Sequence, residues 1–168
     1  MVSTTIVHII GFTALIVVLA TVIGYVGYNT QLLIIENERK NFEKITEALA
    51  LQLRYLFKVN TNMSIVLRYP LEVIYNHEYN IIIGSGKAIT RTYPFITGLD
   101  ENTLYVVAVD FTSQVYTFSP ITVNSTSKPI ILNENPKIFG STTITVVEKI
   151  DAGNYIYLDI VIRGVRKG

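Results

Sequence analysis

The side chains that could do chemistry are few and scattered along the sequence. The two histidines, His8 and His77, lie far apart, and cysteine is absent, which removes thiol catalysis, disulfides and Cys-containing metal sites. No His, Asp or Glu cluster has the spacing of metal ligands, and no Ser has the flanks of a nucleophile elbow. Asp110 and Asp159 would form a catalytic carboxylate pair only if the fold happened to bring them together. We therefore expect no catalytic residue, no metal, no cofactor and no enzymatic activity.

One short segment, Gly84-Ser85-Gly86-Lys87, superficially resembles a phosphate-binding loop. A P-loop needs four residues between its glycines and a helix after them. Here the glycines are closer together, and residues 87–93 read as a strand. We interpret the segment as a hairpin turn.

Charge is scarce and unevenly placed. Only 16 % of the residues are charged, against roughly a quarter in ordinary soluble domains, and 49 % are hydrophobic. Every Asp, Glu, Lys and Arg lies in residues 36–168. The net charge of +1 provides no basic excess, so we expect no nucleic-acid partner.

The uncharged stretch contains a run long enough to cross a membrane. Residues 6–28 are almost entirely apolar, and a spanning helix needs about 20 such residues. Tyr25 and Tyr28 lie at one end, where aromatic side chains collect at membrane interfaces. A cleaved secretory signal would have a basic n-region and a shorter apolar core, and a buried helix of a soluble protein is the second alternative. We expect residues 1–30 to be a retained transmembrane helix.

Residues 31–58 continue this helix in amphipathic form. They contain no Gly or Pro, and Phe42, Leu49 and Leu56 recur every seven residues on one side. With no helix breaker before Gln31, we expect a single helix through both segments. The apolar stripe has two interpretations. It packs on the protein's own β-domain, or it forms a helix–helix seam with other copies or partners, in which case these three residues belong to a subunit interface.

Beyond Val59 the pattern changes to short strands separated by turn residues. Strands at about ten-residue spacing predict an all-β sandwich or barrel. The predicted fold class is therefore mainly β with one long N-terminal helix, in which residues 59–168 form an immunoglobulin-like β-sandwich. The candidate strands are 63–69, 71–75, 79–83, 87–93, 103–111, 114–118, 121–124, 129–132, 141–149 and 155–163.

Two parts of this region carry a more specific pattern. Period-two alternation on both sides of Asp-Ala-Gly-Asn, residues 151–154, predicts a hairpin with one buried face. Ile81, Ile82 and Ile83 place apolar groups on both faces of one strand. Such a strand is buried within the sandwich, or it forms an exposed apolar patch at a subunit contact.

Residues 96–110, ITGLDENTLYVVAVD, resemble the turn into strand F of fibronectin type III domains. In that family the Tyr hydroxyl bonds back to the preceding turn, an arrangement called the tyrosine corner. Tyr105 would play this part, with Leu99 beneath it. Too few residues lie between the helix and Ile96 for the family's first five strands. The motif therefore predicts an immunoglobulin-like corner and not membership of that family.

The side of the membrane on which the β-domain lies is encoded weakly. Arg39 and Lys40 follow the span, which by the positive-inside rule would keep the domain in the cytoplasm, but this rule weakens for long translocated domains. The domain is rich in Tyr, Thr and Asn and contains two glycosylation sequons, at Asn62 and Asn124. We expect it outside the cell, with these two residues as candidate N-glycosylation sites.

The whole architecture resembles the archaeal type IV pilin-like proteins. An uncharged helix beginning almost at residue 1 continues as an amphipathic helix into an immunoglobulin-like β-region without Cys or Trp. The opening residues 2–12, VSTTIVHIIGF, resemble the N-termini of the archaellum accessory proteins ArlF and ArlG, also called FlaF and FlaG. The resemblance implies a stator role in archaeal motility. The protein would be held in the cell membrane by a single pass, with its β-sandwich in the pseudo-periplasm. There it would bind the S-layer protein or another archaellum accessory protein and hold the motor still while the filament turns.

Two other functions share this plan. Prepilins carry a short basic peptide before a Gly at their cleavage point, whereas here Met1 begins a span with no basic residue ahead of it, which favours an unprocessed accessory protein. The alternative is a structural pilin-like subunit of an archaeal type IV pilus or archaellum filament. A membrane-anchored ligand-binding module is the third function. For the first two we expect a homo- or hetero-oligomer.

Overall fold

The long N-terminal helix dominates the chain. The computed structural model describes residues 2–59, 61–71, 78–121 and 128–166. Helix α1, Val2–Lys58, runs through both of the segments that were predicted to be helical. Because α1 alone contains more residues than all the described strands together, the chain is a mixed α/β protein and not a mainly β one.

The remaining described elements form two four-stranded sheets. The first sheet has the strand order β1-β7-β8-β5, and the second has the order β4-β3-β2-β6. Neighbouring strands are antiparallel except β5 and β8, which are parallel. The elements after α1 are β1 Met63–Val66, β2 Asn80–Ser85, α2 Gly86–Thr92, β3 Leu104–Asp110, β4 Val115–Pro120, β5 Ile130–Leu132, β6 Lys137–Gly140, β7 Thr143–Asp151 and β8 Ile156–Val165.

The predicted hairpin is present as β7 and β8. Asp151 lies opposite Ile156, and the Ala152 N–H donates to the Tyr155 carbonyl at 3.0 Å across the turn. Gly153 has a φ of +84°, a left-handed conformation that glycine adopts without the steric cost of a Cβ. One face of β8 is buried as the alternation predicts, through Ile156 and every second residue up to Ile160.

By packing, the chain divides into two units, Met1–Asn37 and Glu38–Gly168. The main core lies in the second unit and joins α1 to the inner faces of both sheets. It contains Phe42, Leu49, Leu53 and Leu56 from α1, Ile81, Ile83, Val106 and Ala108 from the second sheet, and Val147, Leu158 and Ile160 from the first. The amphipathic stripe of α1 therefore packs on the chain's own sheets.

A second core covers the other face of the second sheet. Ile82 and Val107 point away from α1 and pack with Ile89 of α2 and with Ile96. The second sheet is thus apolar on both faces, and this is why three consecutive isoleucines occur in β2.

Two local predictions between β2 and β3 are wrong. Residues 87–93 were expected to form a strand after a hairpin turn, but β2 ends at Ser85 and α2 begins at Gly86. The Ser85 hydroxyl accepts from the Ala88 N–H at 3.4 Å and caps the helix. The segment is helical because this cap starts a turn that lets Ile89 reach the second core. Strand β6 was not predicted, and residues 72–75 and 122–124 of two candidate strands lie outside the described residues.

A lysine from β7 closes the C-terminal end of α1. Lys149 occupies an inward position on β7 and is only 2 % exposed. Its ammonium donates to the Leu56 carbonyl at 3.3 Å and to the Val59 carbonyl. These carbonyls have no partner within the helix, and the positive charge also opposes the negative end of the helix dipole.

Candidate protein-interaction surfaces

The first unit presents apolar side chains to its surroundings. Most large apolar residues of α1 between Ile6 and Ile35 are exposed, and this helix is long and apolar enough to span a membrane. Three threonines of this unit hydrogen-bond within the helix itself. The hydroxyls of Thr13, Thr21 and Thr30 donate to the carbonyls four residues earlier at 2.8–2.9 Å. Such self-paired side chains suit a segment surrounded by lipid.

The six residues proposed from sequence as a subunit interface lie in the interior of the second unit. Phe42, Leu49 and Leu56 are at most 1 % exposed, and Ile81, Ile82 and Ile83 are not exposed at all. A side chain that is buried against its own chain has no surface left for a partner. The interface assignment is therefore corrected: these residues build the two cores.

An exposed apolar surface does exist on the first sheet, on the side away from α1. Val66 pairs with Val146, and Val146 pairs with Val161. A second apolar row runs from Ile150 through Tyr157 to Ile131. Val66 is 53 % exposed, and Ile131 and Ile150 are each 44 % exposed. We call this surface the outer face; it consists of Ser64, Val66, Ile131, Val146, Glu148, Ile150, Tyr157, Asp159 and Val161.

An acidic pair lies between the two apolar rows of the outer face. Glu148 and Asp159 are directly opposite each other on β7 and β8, an arrangement that is unfavourable for like charges. Arg163 bonds Glu148 at 3.0 Å and the Asn133 amide donates to Asp159 at 3.1 Å, which offsets part of this repulsion. The outer face is thus apolar with an acidic centre.

A second surface feature lies between α1 and the segment that follows β1. It has a volume of about 360 Å³ and is lined by Asn41, Lys44, Ile45, Ala48, Arg68, Tyr69 and Pro70. We call it the groove. All of these residues belong to the second unit.

The wall formed by residues 67–70 has no regular secondary structure, yet each of its four carbonyls accepts a side-chain hydrogen bond. Arg166 donates to the carbonyls of Leu67 and Tyr69, and the Gln52 amide donates to that of Arg68 at 2.9 Å. The Tyr79 hydroxyl donates to the Pro70 carbonyl at 2.6 Å. The wall is therefore fixed to α1, to the residue before β2 and to the residue after β8.

Tyr69 is the most tightly held residue of this wall. Its ring lies beneath the Arg166 guanidinium, 4.4 Å from ring centre to carbon, and its hydroxyl donates to the Thr143 carbonyl at 2.8 Å. The neighbouring Tyr79 keeps its proton, because burial, the largest effect, raises the pKa of its hydroxyl well above the usual value. The hydrogen bond from the Tyr79 hydroxyl to the Pro70 carbonyl is therefore kept throughout the physiological pH range.

The predicted tyrosine corner is confirmed as a contact. The Asp100 N–H donates to the Tyr105 hydroxyl at 3.1 Å, and Leu99 packs in the same core as Tyr105.

Of the two sequons, Asn62 is exposed, and its side-chain oxygen accepts from the Asp151 N–H at 2.9 Å, which leaves the amide nitrogen available for modification. Asn124, like His77, lies outside the described residues.

The two aspartates considered as a carboxylate pair belong to different sheets. Asp159 lies on the outer face of the first sheet, and Asp110 ends β3 in the second. The Asp110 carboxylate accepts from the Thr112 N–H and the Ser113 hydroxyl, each at 2.8 Å. Within the described ranges, no group of three or more His, Cys, Asp or Glu is placed to hold a metal ion.

Neither surface feature was identified from sequence. The outer face had one signal, since Val146 and Val161 add apolar residues to a hairpin whose opposite face already forms the core. The groove had none, because its two walls come from separate parts of the chain. No family model, curated protein or solved structure matches the chain. The fold and surfaces define its class: one N-terminal helix long and apolar enough to span a membrane, and a unit with two four-stranded sheets.

Proposed function

We propose that this is a single-pass membrane protein of the archaellum accessory (stator) type, whose second unit lies outside the cell and binds the S-layer protein or a sister accessory protein. The observation that carries the proposal is the outer face. Two apolar rows with exposed side chains, centred on an acidic pair, have the composition of a protein-binding surface. Anchoring and binding together are the two properties that a stator needs.

The anchor supports the same function. Exposed apolar side chains on the first unit would bury in lipid, and their transfer is favourable by about 25 cal/mol for each Å² removed from water. A partner bound at the outer face would then be connected to the membrane through one continuous chain.

The immunoglobulin-like character of the second unit is part of this proposal. Two four-stranded sheets with a shared core and the Tyr105 corner support it. The parallel pairing of β5 with β8 and the α1 residues within the core are features that a simple sandwich would lack. A variant sandwich built around a helix accommodates both observations.

Topology can be tested directly because the chain has no cysteine of its own. Asn154→Cys, in the exposed turn between β7 and β8, should react with a membrane-impermeant maleimide in intact cells. Ser3→Cys should react only after lysis. Reaction of Asn154→Cys only after lysis would refute an external second unit.

Binding can be tested with charged substitutions on the outer face. We expect Val66→Lys and Ile150→Lys to reduce retention of purified S-layer protein or sister accessory protein by the reconstituted chain at least about tenfold. The control is Ile138→Lys, which changes an exposed isoleucine on the second sheet and should leave retention unchanged. Equal retention of the partner by the unmodified chain and by all three variants would exclude the outer face as the binding surface.

One observation favours the second candidate function, a pilin-like filament subunit. The exposed apolar surface from Ile6 to Ile35 is roughly 45 Å long at about 1.5 Å per residue, whereas the hydrocarbon core of a bilayer is about 30 Å thick. In a filament, the same surface would be covered along its length by neighbouring helices. In a membrane, the excess must be covered by tilt or by other proteins.

Fractionation separates these two candidates. An accessory protein should be found by mass spectrometry in membranes and be absent from sheared surface filaments. A strain lacking it should keep its filaments and lose swimming. Recovery of the chain as a stoichiometric filament component would refute the stator role and establish the alternative.

Glycosylation of Asn62 and Asn124 remains a proposal that follows from an external location. The free amide nitrogen of exposed Asn62 supports it for that residue. Intact-mass measurement of the native protein should show a glycan mass that decreases in Asn62→Gln. An unmodified peptide around Asn62 in protein from native membranes would contradict the assignment.

A further inference from the structure

We propose that the groove is a second binding site, which takes an acidic segment of a partner protein by placing a carboxylate between Lys44 and Arg68 and an apolar side chain against the groove floor. The site is separate from the outer face. It rests on the proposed function only in assuming that a partner protein is present outside the membrane.

The charges of the groove determine the chemistry of its ligand. Its lining includes two cations, Lys44 and Arg68, and no acid. Neither side chain has an ion-pair or hydrogen-bond partner among the described residues. The two cations come from opposite walls, so a carboxylate placed between them would interact with both, and an arginine can bind it through two N–H groups.

The volume and lining of the groove suit the side chains of a peptide. A volume of about 360 Å³ lies at the lower end of the range for ligand sites and accommodates one or two side chains. Ile45 and Tyr69 are nearly buried and provide an apolar floor beside the cations.

Rigidity makes the site more than a surface depression. The carbonyls of the irregular wall are fully engaged by side chains of Gln52, Tyr79 and Arg166, so the wall does not need to be ordered when a ligand binds. Arg68 is held on both sides of its backbone, since its N–H also donates to the Gln52 side chain at 3.0 Å. A pre-ordered site avoids part of the entropy cost of association.

The test uses the full-length chain in nanodiscs of zwitterionic lipid. The probe is a blocked octapeptide with one Trp, two Glu and two Leu, compared with the same peptide carrying Gln in place of Glu. Because the chain has no Trp, the peptide's Trp fluorescence anisotropy reports binding without a signal from the chain itself, and empty nanodiscs give the background of the scaffold protein. We expect the acidic peptide to bind at least about tenfold more tightly than the amide peptide and to weaken as salt is added.

Substitutions assign this binding to the groove. Lys44→Gln and Arg68→Gln should each weaken acidic-peptide binding about two- to tenfold, and Ala48→Glu, which adds a negative charge to an exposed wall position, should weaken it more. Lys87→Gln removes an exposed cation from α2 and should have no effect. Thermal unfolding midpoints equal to that of the unmodified chain would show that all four variants fold.

Three outcomes would overturn the proposal: equal binding of the two peptides, equal loss in Lys87→Gln, or displacement of the peptide by phosphatidylglycerol vesicles, which would identify the groove as a lipid site. Failure of the stator role is seen elsewhere, in the fractionation and outer-face experiments. A filament subunit that still bound the acidic peptide through Lys44 and Arg68 would refute the stator role and leave the groove assignment intact.

Discussion

Replacement of Lys149 by Met tests how the end of α1 is joined to the first sheet. The lysine is buried, and its ammonium donates to the carbonyls of Leu56 and Val59. Methionine preserves most of the aliphatic volume and removes the donors and the charge. The substitution therefore isolates the polar contribution of this contact.

The expected magnitude follows from the two carbonyls. A buried acceptor that loses its partner costs about 1–3 kcal/mol, and loss of a cation at a helix C-terminus costs about 0.3–2 kcal/mol. Removing a buried charge returns part of this cost, because the ammonium no longer has to be desolvated. We expect Lys149→Met to lower the free energy of unfolding by about 2–4 kcal/mol. For a unit of this size the thermal midpoint should then fall by roughly 6–15 °C.

The assay is thermal unfolding of the full chain in nanodiscs, followed by the near-ultraviolet circular dichroism of its tyrosines. Lys87→Met is the matched control, since it removes an exposed cation and should change stability by less than about 0.5 kcal/mol. Unfolding midpoints that agree for Lys149→Met and the control would refute the reasoning. That result would mean that water replaces the ammonium at the end of α1.

Four further substitutions, one of them a control, probe other contacts. Tyr105→Phe removes the hydroxyl that accepts from the Asp100 N–H, and we expect a loss of about 1 kcal/mol in chemical denaturation. Gly86→Ala would place a Cβ 2.1 Å from the Asp100 carbonyl oxygen and should lower the thermal unfolding midpoint strongly. Gly140→Ala is the control: the atom nearest to its Cβ is 3.8 Å away, and we expect a small change of the midpoint. For Asp110, burial acts to raise the pKa of the carboxyl, but the hydrogen bonds from its turn outweigh it and hold the pKa below the usual value. The ionised Asp110 carboxylate therefore stabilises the folded state fully above its pKa in the unfolded chain, about 4, and this stabilisation is lost as the pH falls through its lower pKa in the folded state. Asp110→Asn should therefore flatten the dependence of the free energy of unfolding on pH below about pH 4.

Each of these expectations has a clear contrary result. Unchanged stability of Tyr105→Phe would mean that water replaces the hydroxyl at the Asp100 N–H. Equal midpoints for Gly86→Ala and Gly140→Ala would mean that the start of α2 shifts to admit a methyl group. An unchanged acid limb in Asp110→Asn would assign the acid sensitivity to other carboxylates.

Local patterns were sufficient for the elements whose interactions are themselves local. A long uncharged apolar run followed by an amphipathic period predicted α1, since both patterns depend only on residues a few positions apart. Alternation around Asp-Ala-Gly-Asn predicted the β7–β8 hairpin, and the resemblance of residues 96–110 to a fibronectin type III turn predicted the corner hydrogen bond. These contacts close over short loops, so the neighbouring sequence contains most of what they need.

Residues 87–93 show where local pattern is not enough. The segment contains β-branched residues that suit either a strand or one turn of helix, and its apolar residues are too few to distinguish the two periods. The Ser85 cap and the position of Ile89 in the second core select the helix. The rest of that core comes mainly from β2 and β3, which flank the segment, so residues 87–93 alone did not contain the information for the choice.

The sequence by itself determined which residues share a face: the stripe of Phe42, Leu49 and Leu56, the two sides of β2, and the alternating positions of β7 and β8. Only the tertiary structure decided what each face meets. It placed the helical stripe and all three isoleucines in the interior, left the outer face exposed, and brought Lys44 and Arg68 to opposite walls of one groove. The physical reason is that periodicity is set by the backbone of one element, whereas burial is set by which distant elements pack on it.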